Sequence, residues 1–279
     1  MQTKLKKIFG NKQFIFTKRC NQSIKIALNY AKNQVLSKNK TNLLLIQQEG
    51  GWITYRQIAK KLKLNTIQIK TNYGLIDAVE LKKFKNCTLI MHSSPGYIQL
   101  ENMKKIFEIC NQNNILLIND SCGSVGTKQA KYGHLIVCSF GKYKPIDIGC
   151  GGIILYEEKL KDIEKDINLI KINNHKFTED SPKEIILDKL PKELNNLREK
   201  LKFFNETKEK QKQILKDKNI IYLESQGINL FTETKNNAET EKIIKHCKDN
   251  KIYWVECPKY IRLMKQGISL EIKRLNYEV

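Results

Sequence analysis

Asp120, Ser139 and Lys144 are the residues of this chain whose types and spacing could do chemistry together. Asp120 follows the apolar run Ile115-Leu-Leu-Ile118, and Ser139 follows a second run, Leu135-Ile-Val-Cys138. Lys144 comes five residues after Ser139, and a glycine cluster follows at Gly149, Gly151 and Gly152. Short apolar runs of this kind read as buried strands. In open α/β sheets ligands sit outside the carboxyl ends of the strands. An acid, a hydroxyl and a lysine gathered there, beside a glycine turn, are what a pyridoxal phosphate site needs. The lysine makes the Schiff base, and the acid keeps the pyridinium nitrogen protonated so that the ring serves as an electron sink. The hydroxyl can take a phosphate oxygen. Each of these residues alone has an ordinary explanation, as turn former, solvated charge or tight turn; their order and spacing together do not.

The elements that must position these residues alternate in type. Gln13–Thr17, Asn42–Ile46, Thr66–Lys70 and Cys87–Met91 read as strands. Helical patterns fall over 24–32, about 55–62, from Leu75, over 103–111 and over the charged stretch 157–172. Strands alternating with helices argue an α/β domain with a mostly parallel sheet covered by helices. From Lys183 to Lys216, Leu187, Leu190, Leu194, Leu197, Leu201 and Phe204 recur at helical spacing, with Pro191 expected at a start or kink. Strands at 219–223, 228–232, 253–255, 260–264 and 268–272, and a helix at 238–249, make a small C-terminal α+β domain. The chain divides on this reading into 1–165 and 166–279.

Other residues take their meaning from these elements. Ser23, with Asn21 and Gln22, stands at the start of the first long helix, where Ser serves as an N-cap and where free amides also bind phosphate. Gly50-Gly51 lets backbone approach a ligand, and Trp52 directly after it is placed either to pack or to stack on a flat ring. His92, at a strand end, reads as a loop histidine rather than a base. Arg262 and Arg274 could fork onto a substrate carboxylate, with exposed surface the ordinary fate of either.

Length and charge bound the rest. A chain of 279 residues holds one large domain and a smaller one. The net charge is +21, and residues 1–40 carry ten Lys/Arg and no acid. The lysines continue through the whole chain rather than forming one patch, so nucleic acid is not the expected partner. Eight cysteines are scattered without a C-x-x-C pair, as in reduced thiols, and no apolar run is long enough to span a membrane. No secretory signal is read at the N-terminus, and a cytoplasmic location is expected.

The register of Ser139-Phe140, Lys144 and Gly149-Cys150-Gly151-Gly152 behind Asp120 resembles the DegT/DnrJ/EryC1/StrS sugar aminotransferases, within the fold type I pyridoxal-phosphate enzymes. The resemblance runs through about residues 13–200. It implies Lys144 and Asp120 as catalytic residues, and a cofactor held by these two with Ser139, Ser23, Gln22, Trp52 and Gly123. Trp52, or Tyr55 in its stead, would cover the ring. Asn174, opening Asn-His-Lys-Phe-Thr-Glu, would reach the site of a partner subunit in a homodimer. The implied reaction is transfer of an amino group from an amino acid, glutamate by expectation, to a keto sugar. Two departures stand out: Gly123 where a Gln or His touches the cofactor's phenolic oxygen, and Cys150 where an acid is usual. Two other readings stay open: a fold type I enzyme for a phosphorylated or RNA-linked substrate, and a cofactor-binding or scaffold protein without turnover.

Overall fold

The computed structural model describes residues 1–37 and 41–277. Nine strands form one large sheet: β1 (Gln13–Thr17), β2 (Leu43–Gln47), β3 (Asn65–Ile69), β4 (Thr88–His92), β5 (Leu116–Asp120), β6 (Leu135–Ser139), β7 (Gly152–Tyr156), β8 (Leu169–Ile172) and β9 (His175–Thr178). Their order is β8-β9-β1-β7-β6-β5-β4-β2-β3. The run β6-β5-β4-β2-β3 is parallel throughout, and β7 is antiparallel to both β6 and β1. The central strands are apolar on both faces because helices cover both. α1 (Gln2–Phe9), α2 (Cys20–Ser37), α3 (Thr54–Lys61), α4 (Met103–Gln112) and the long α5 (Lys183–Ile214) supply this cover. On one face Ile24, Ala27 and Leu28 of α2 pack with Ile118, Val137 and Ile154. On the other, Leu190, Leu194 and Leu197 of α5 pack with Ile136, Cys138 and Ile153.

The C-terminal part has its own antiparallel sheet of β10 (Asn219–Ile221), β11 (Leu230–Glu233), β13 (Gly267–Leu270) and β12 (Trp254–Cys257), in that spatial order, with α6 (Asn237–Asp249) against it. The α/β architecture expected from the alternating pattern is present, with a small α+β part behind it. No helix among the described residues is long and apolar enough to cross a membrane.

Several local expectations are corrected. The stretch opening at Leu75 is no helix: Leu75–Ile76 pairs with Thr71–Asn72 across a turn in which Tyr73 and Gly74 have φ of 43° and 86°. The expected helix over 157–172 is a 3-10 segment, Glu158–Glu164, followed by strand β8. β8 and β9 join through Asn173 and Asn174, both left-handed at φ 49° and 61°, as a two-residue hairpin requires. That hairpin carries the large sheet past residue 165. Of the two expectations for Pro191, a helix start is excluded: α5 runs through it, and the buried stripe of Ile186, Leu190, Leu194 and Leu197 continues on both sides. Residues 260–264 form no strand.

One polar contact inside this frame titrates. Glu101 is 3% exposed, and its Oε1 accepts the Ile76 N–H at 2.8 Å. Burial pushes its carboxyl up to about 8, against that hydrogen bond. An acid with a raised pKa in the fold loses stability as pH rises from its unfolded value through the folded one. Glu101→Gln is therefore expected to be the more stable protein above pH 5. The gap in denaturant unfolding should widen to roughly 1–3 kcal/mol by pH 8; a constant gap would contradict the assignment.

Candidate active site

The carboxyl ends of β4, β5 and β6 open into a cleft of about 380 Å³. His92 ends β4, Asp120 ends β5 and Ser139 ends β6, and all three line it. Parallel pairing sets His92 directly beside Asp120. Arg19 and Asn21 reach the cleft from the start of α2, Gly50 to Trp52 from the loop after β2, and Arg262, Lys273 and Arg274 from the C-terminal part.

Asp120 is 3% exposed. Its Oδ2 accepts the Tyr55 hydroxyl at 2.5 Å and its Oδ1 accepts the Cys122 N–H at 3.1 Å. Burial, with the Cys122 thiol beside it, pushes the carboxyl well above the usual range. Neutral donors alone do not compensate a buried carboxylate, so Asp120 is suited to a cationic ligand atom. The Cys122 Sγ lies 4.0 Å from Cys20 Sγ and accepts the Ser139 N–H at 3.1 Å, tying the ends of β5, β6 and α2 together.

Lys144 Nζ donates to the Tyr97 hydroxyl at 2.6 Å. Burial disfavours its ammonium, but the Tyr97 oxygen, Cys122 and Asp120 outweigh burial and hold the amine above the usual lysine range. Tyr97 follows the turn after β4 in a left-handed conformation, φ 68°. The C-terminal part holds it there: the N–H groups of Ile228 and Asn229 both donate to the Tyr97 carbonyl at 2.8 Å. Gly227 admits this contact, since a Cβ there would sit 2.2 Å from the Ile98 backbone. Buried Lys208 of α5 fixes the same loop by donating to the Ser225 and Gly227 carbonyls at 2.6 and 2.8 Å.

A second charged cluster closes the far side. Arg262, buried rather than on the surface, forks onto Glu271 with Nε–Oε1 2.6 Å and Nη2–Oε2 2.5 Å. Lys273 lies 3.2 Å from Glu271 and Arg274 3.6 Å. Against burial, these cations hold Glu271 down to about 2. Burial and the neighbouring cations bring Lys273 down to about 7.

The residues singled out from sequence are partly brought together. Lys144, Asp120, Ser139 and Trp52 share the cleft; Trp52 is half-exposed, and its Nε1 donates to Asn21 Oδ1 at 2.9 Å. Tyr55 lies under the cleft, holding Asp120. Ser23 is fully buried, with its hydroxyl 2.8 Å from that of Thr17. The physical reason is that α2 begins at Cys20, so its open end is at Arg19 to Asn21 and Ser23 falls inside the first turn. Gln22 faces a neighbouring surface pocket, accepting the Lys18 N–H and donating to Asp180. Gly123 packs beneath His92 and Tyr97, and Asn174 is exposed at the β8–β9 turn. Tyr97, Cys122 and Lys273 carry no motif. The usable signal for Tyr97 was its place just beyond the carboxyl end of a parallel strand.

An α/β sheet of this order with an acid, a hydroxyl and a lysine at its carboxyl edge defines a fold type I pyridoxal-phosphate enzyme. The model of the DegT/DnrJ/EryC1/StrS aminotransferase family matches residues 3–183, and the chain belongs to that family and takes pyridoxal phosphate as its cofactor. Residues 192–279 match the MJ1341 family C-terminal domain. Among solved structures, the chain is similar to Helicobacter pylori PseC, an aminotransferase involved in the biosynthesis of pseudoaminic acid. The TM-score is 0.74 at 14% identity, over 96% of this chain and 83% of that one. It is similar also to the E. coli GDP-4-keto-6-deoxy-D-mannose-3-dehydratase with bound hydrated PLP, with TM-score 0.70 at 15% identity, over 96% and 85%. No curated protein matches the chain by sequence.

Glu271→Gln leaves Arg262 and Lys273 buried without their counter-charge. The expected loss in urea unfolding at pH 6 is about 3–5 kcal/mol. It should shrink at pH 9, where Lys273 is neutral; a loss that does not depend on pH would separate Lys273 from this cluster.

Proposed function

We propose that this chain moves an amino group from an amino acid donor, glutamate by expectation, to a keto sugar, through Lys144. The observation that carries this is the Lys144 amine, half-buried in the same cleft as Asp120 and 2.6 Å from the Tyr97 hydroxyl. The residues present fit pyridoxal phosphate. Asp120 is a buried carboxyl that lacks a cation, and a protonated ring nitrogen would supply one. Bound there, the group supplies an electron sink for bonds broken at the donor's Cα.

The chain's own residues supply the rest. Asp120, oriented by Tyr55 and the Cys122 N–H, holds the ring nitrogen protonated. Lys144 would hold the cofactor through its amine, and as a free amine it would take and return the donor's Cα proton as general base and acid. The phosphate is assigned to the open end of α2 at Arg19 and Asn21 together with Ser139. Ser23, through Thr17, and Gln22 support that end from behind rather than touching the ligand. Trp52 covers the ring. Asn174, at the tip of the β8–β9 hairpin, is assigned to the site of a second copy in a homodimer. The family and the names of the similar structures support a sugar acceptor. The cations Arg19, Arg262, Lys273 and Arg274 suit an acceptor that carries negative charge.

The first test is the visible spectrum of the protein with pyridoxal phosphate, before and after L-glutamate. The expected result is a band that glutamate bleaches and that Lys144→Ala abolishes. A band that no amino donor alters would leave a cofactor binder without turnover. A second expectation comes from the raised Lys144 ammonium: cofactor loading should quicken with pH, up to about tenfold per unit, since only the free amine reacts. Tyr97→Phe removes a group that supports the ammonium, so it should load faster at pH 7 and reach its plateau at lower pH. Unchanged loading would detach Tyr97 from Lys144.

A further inference from the structure

His92 is 4% exposed and lines the cleft, yet its Nε2 has no hydrogen-bond partner among the described residues. Its other nitrogen is committed. Nδ1 accepts the Ser94 N–H at 3.2 Å, so it carries no proton, and in the neutral ring the N–H is at Nε2. Burial, reinforced by Lys144 and Arg262, lowers the ring to about 4, so it is neutral at ordinary pH. The ring is held in place rather than free to turn to another partner. It packs at a tilt against Tyr97 with ring centres 4.9 Å apart, and its backbone N–H donates to Gln47 Oε1. A buried N–H donor left without an acceptor costs about 1–3 kcal/mol. A ligand in the cleft is what can relieve that.

Gly123 explains how His92 comes to be there. A Cβ at position 123 would lie 2.8 Å from His92 Cε1, 2.9 Å from Ser94 Cβ and 2.9 Å from Tyr97 Cδ1. A side chain at 123 would therefore displace the imidazole from where it lies, and the glycine leaves that space to the histidine ring. Gly123 stands two residues after Ser121 in the turn that follows Asp120, so the substituted space adjoins the acid assigned to the ring nitrogen. The phenolic oxygen of such a ligand, borne two ring atoms from that nitrogen, needs a donor, and His92 is a neutral one beside Asp120 on the neighbouring strand.

We propose that His92 binds the ligand of this cleft by donating from Nε2 to the phenolic oxygen of pyridoxal phosphate, filling the part of the site that Gly123 leaves without a side chain. This rests on the cleft being the cofactor site. A donor at that oxygen stabilises its deprotonated form, and it does so whether or not the chain turns over. His92 is thus a cofactor-binding residue that sets the protonation of the bound group, and the absent side chain at 123 is replaced rather than lost.

The test titrates wild type, His92→Phe and His92→Asn with pyridoxal phosphate, reading affinity and the pH midpoint of the visible band. His92→Phe, which keeps a ring against Tyr97 but no donor, is expected to bind about tenfold more weakly. Its midpoint should move up by about one pH unit. His92→Asn keeps an N–H and should lie nearer wild type in both. Equal affinity and midpoint in His92→Phe would overturn the inference and leave the cofactor site intact. Absence of any band in the wild type would overturn both. Circular dichroism checks the fold of each variant. If His92→Phe does not fold, His92→Met against His92→Gln makes the same comparison, without and with a donor.

Discussion

Keeping the Asp120 carboxyl out of water at the end of a central strand is the constraint on which the site depends. β5 lies between β4 and β6, and helices cover both faces, so water cannot solvate the acid. Tyr55 and the Cys122 amide orient it without neutralising it. A carboxylate in this setting binds a ligand cation strongly and does little else. The strand ends around it follow from the same geometry, since parallel pairing brings His92 and Ser139 to the same edge.

The second constraint is that the two parts of the chain meet at the reacting amine. Lys144 belongs to the large sheet's loops, but Tyr97, its partner, is clamped by backbone hydrogen bonds from Ile228 and Asn229. Lys208 holds that clamp from α5, the helix that links the two sheets. Lys273 and Arg262 arrive from the C-terminal part as well, paired through Glu271. A family model that matches residues 3–183 therefore spans the acid, the lysine and Tyr97 but not the residues that clamp Tyr97 in place.

Positive charge is spent unevenly. Most of the +21 is a solvated lysine surface, which says little about a partner. The cations that matter are few, and they are held locally: buried Arg262 and Lys273, with half-buried Arg274, around Glu271, and half-buried Lys144 on the Tyr97 hydroxyl. Gly123 shows the same economy in sterics. It departs from the family's pattern on paper, and in space it makes room for His92.

The sequence by itself determined the sheet, the family and the central trio. Short apolar runs ending in Asp120 and Ser139 read as buried strands, and Lys144 and the glycine turn follow at fixed spacing. It misjudged elements whose conformation depends on left-handed residues, such as the Asn173–Asn174 hairpin, because periodicity does not reveal a turn inside a charged stretch. It put Ser23 at the first turn of the helix but left its role open, because a hydroxyl there can be cap or interior depending on where the helix starts. Only the tertiary structure decided that Arg262 is buried on Glu271, that Tyr97 meets Lys144, and that His92 fills the space above Gly123. Those contacts join residues far apart in the chain, and packing, not local pattern, selects them.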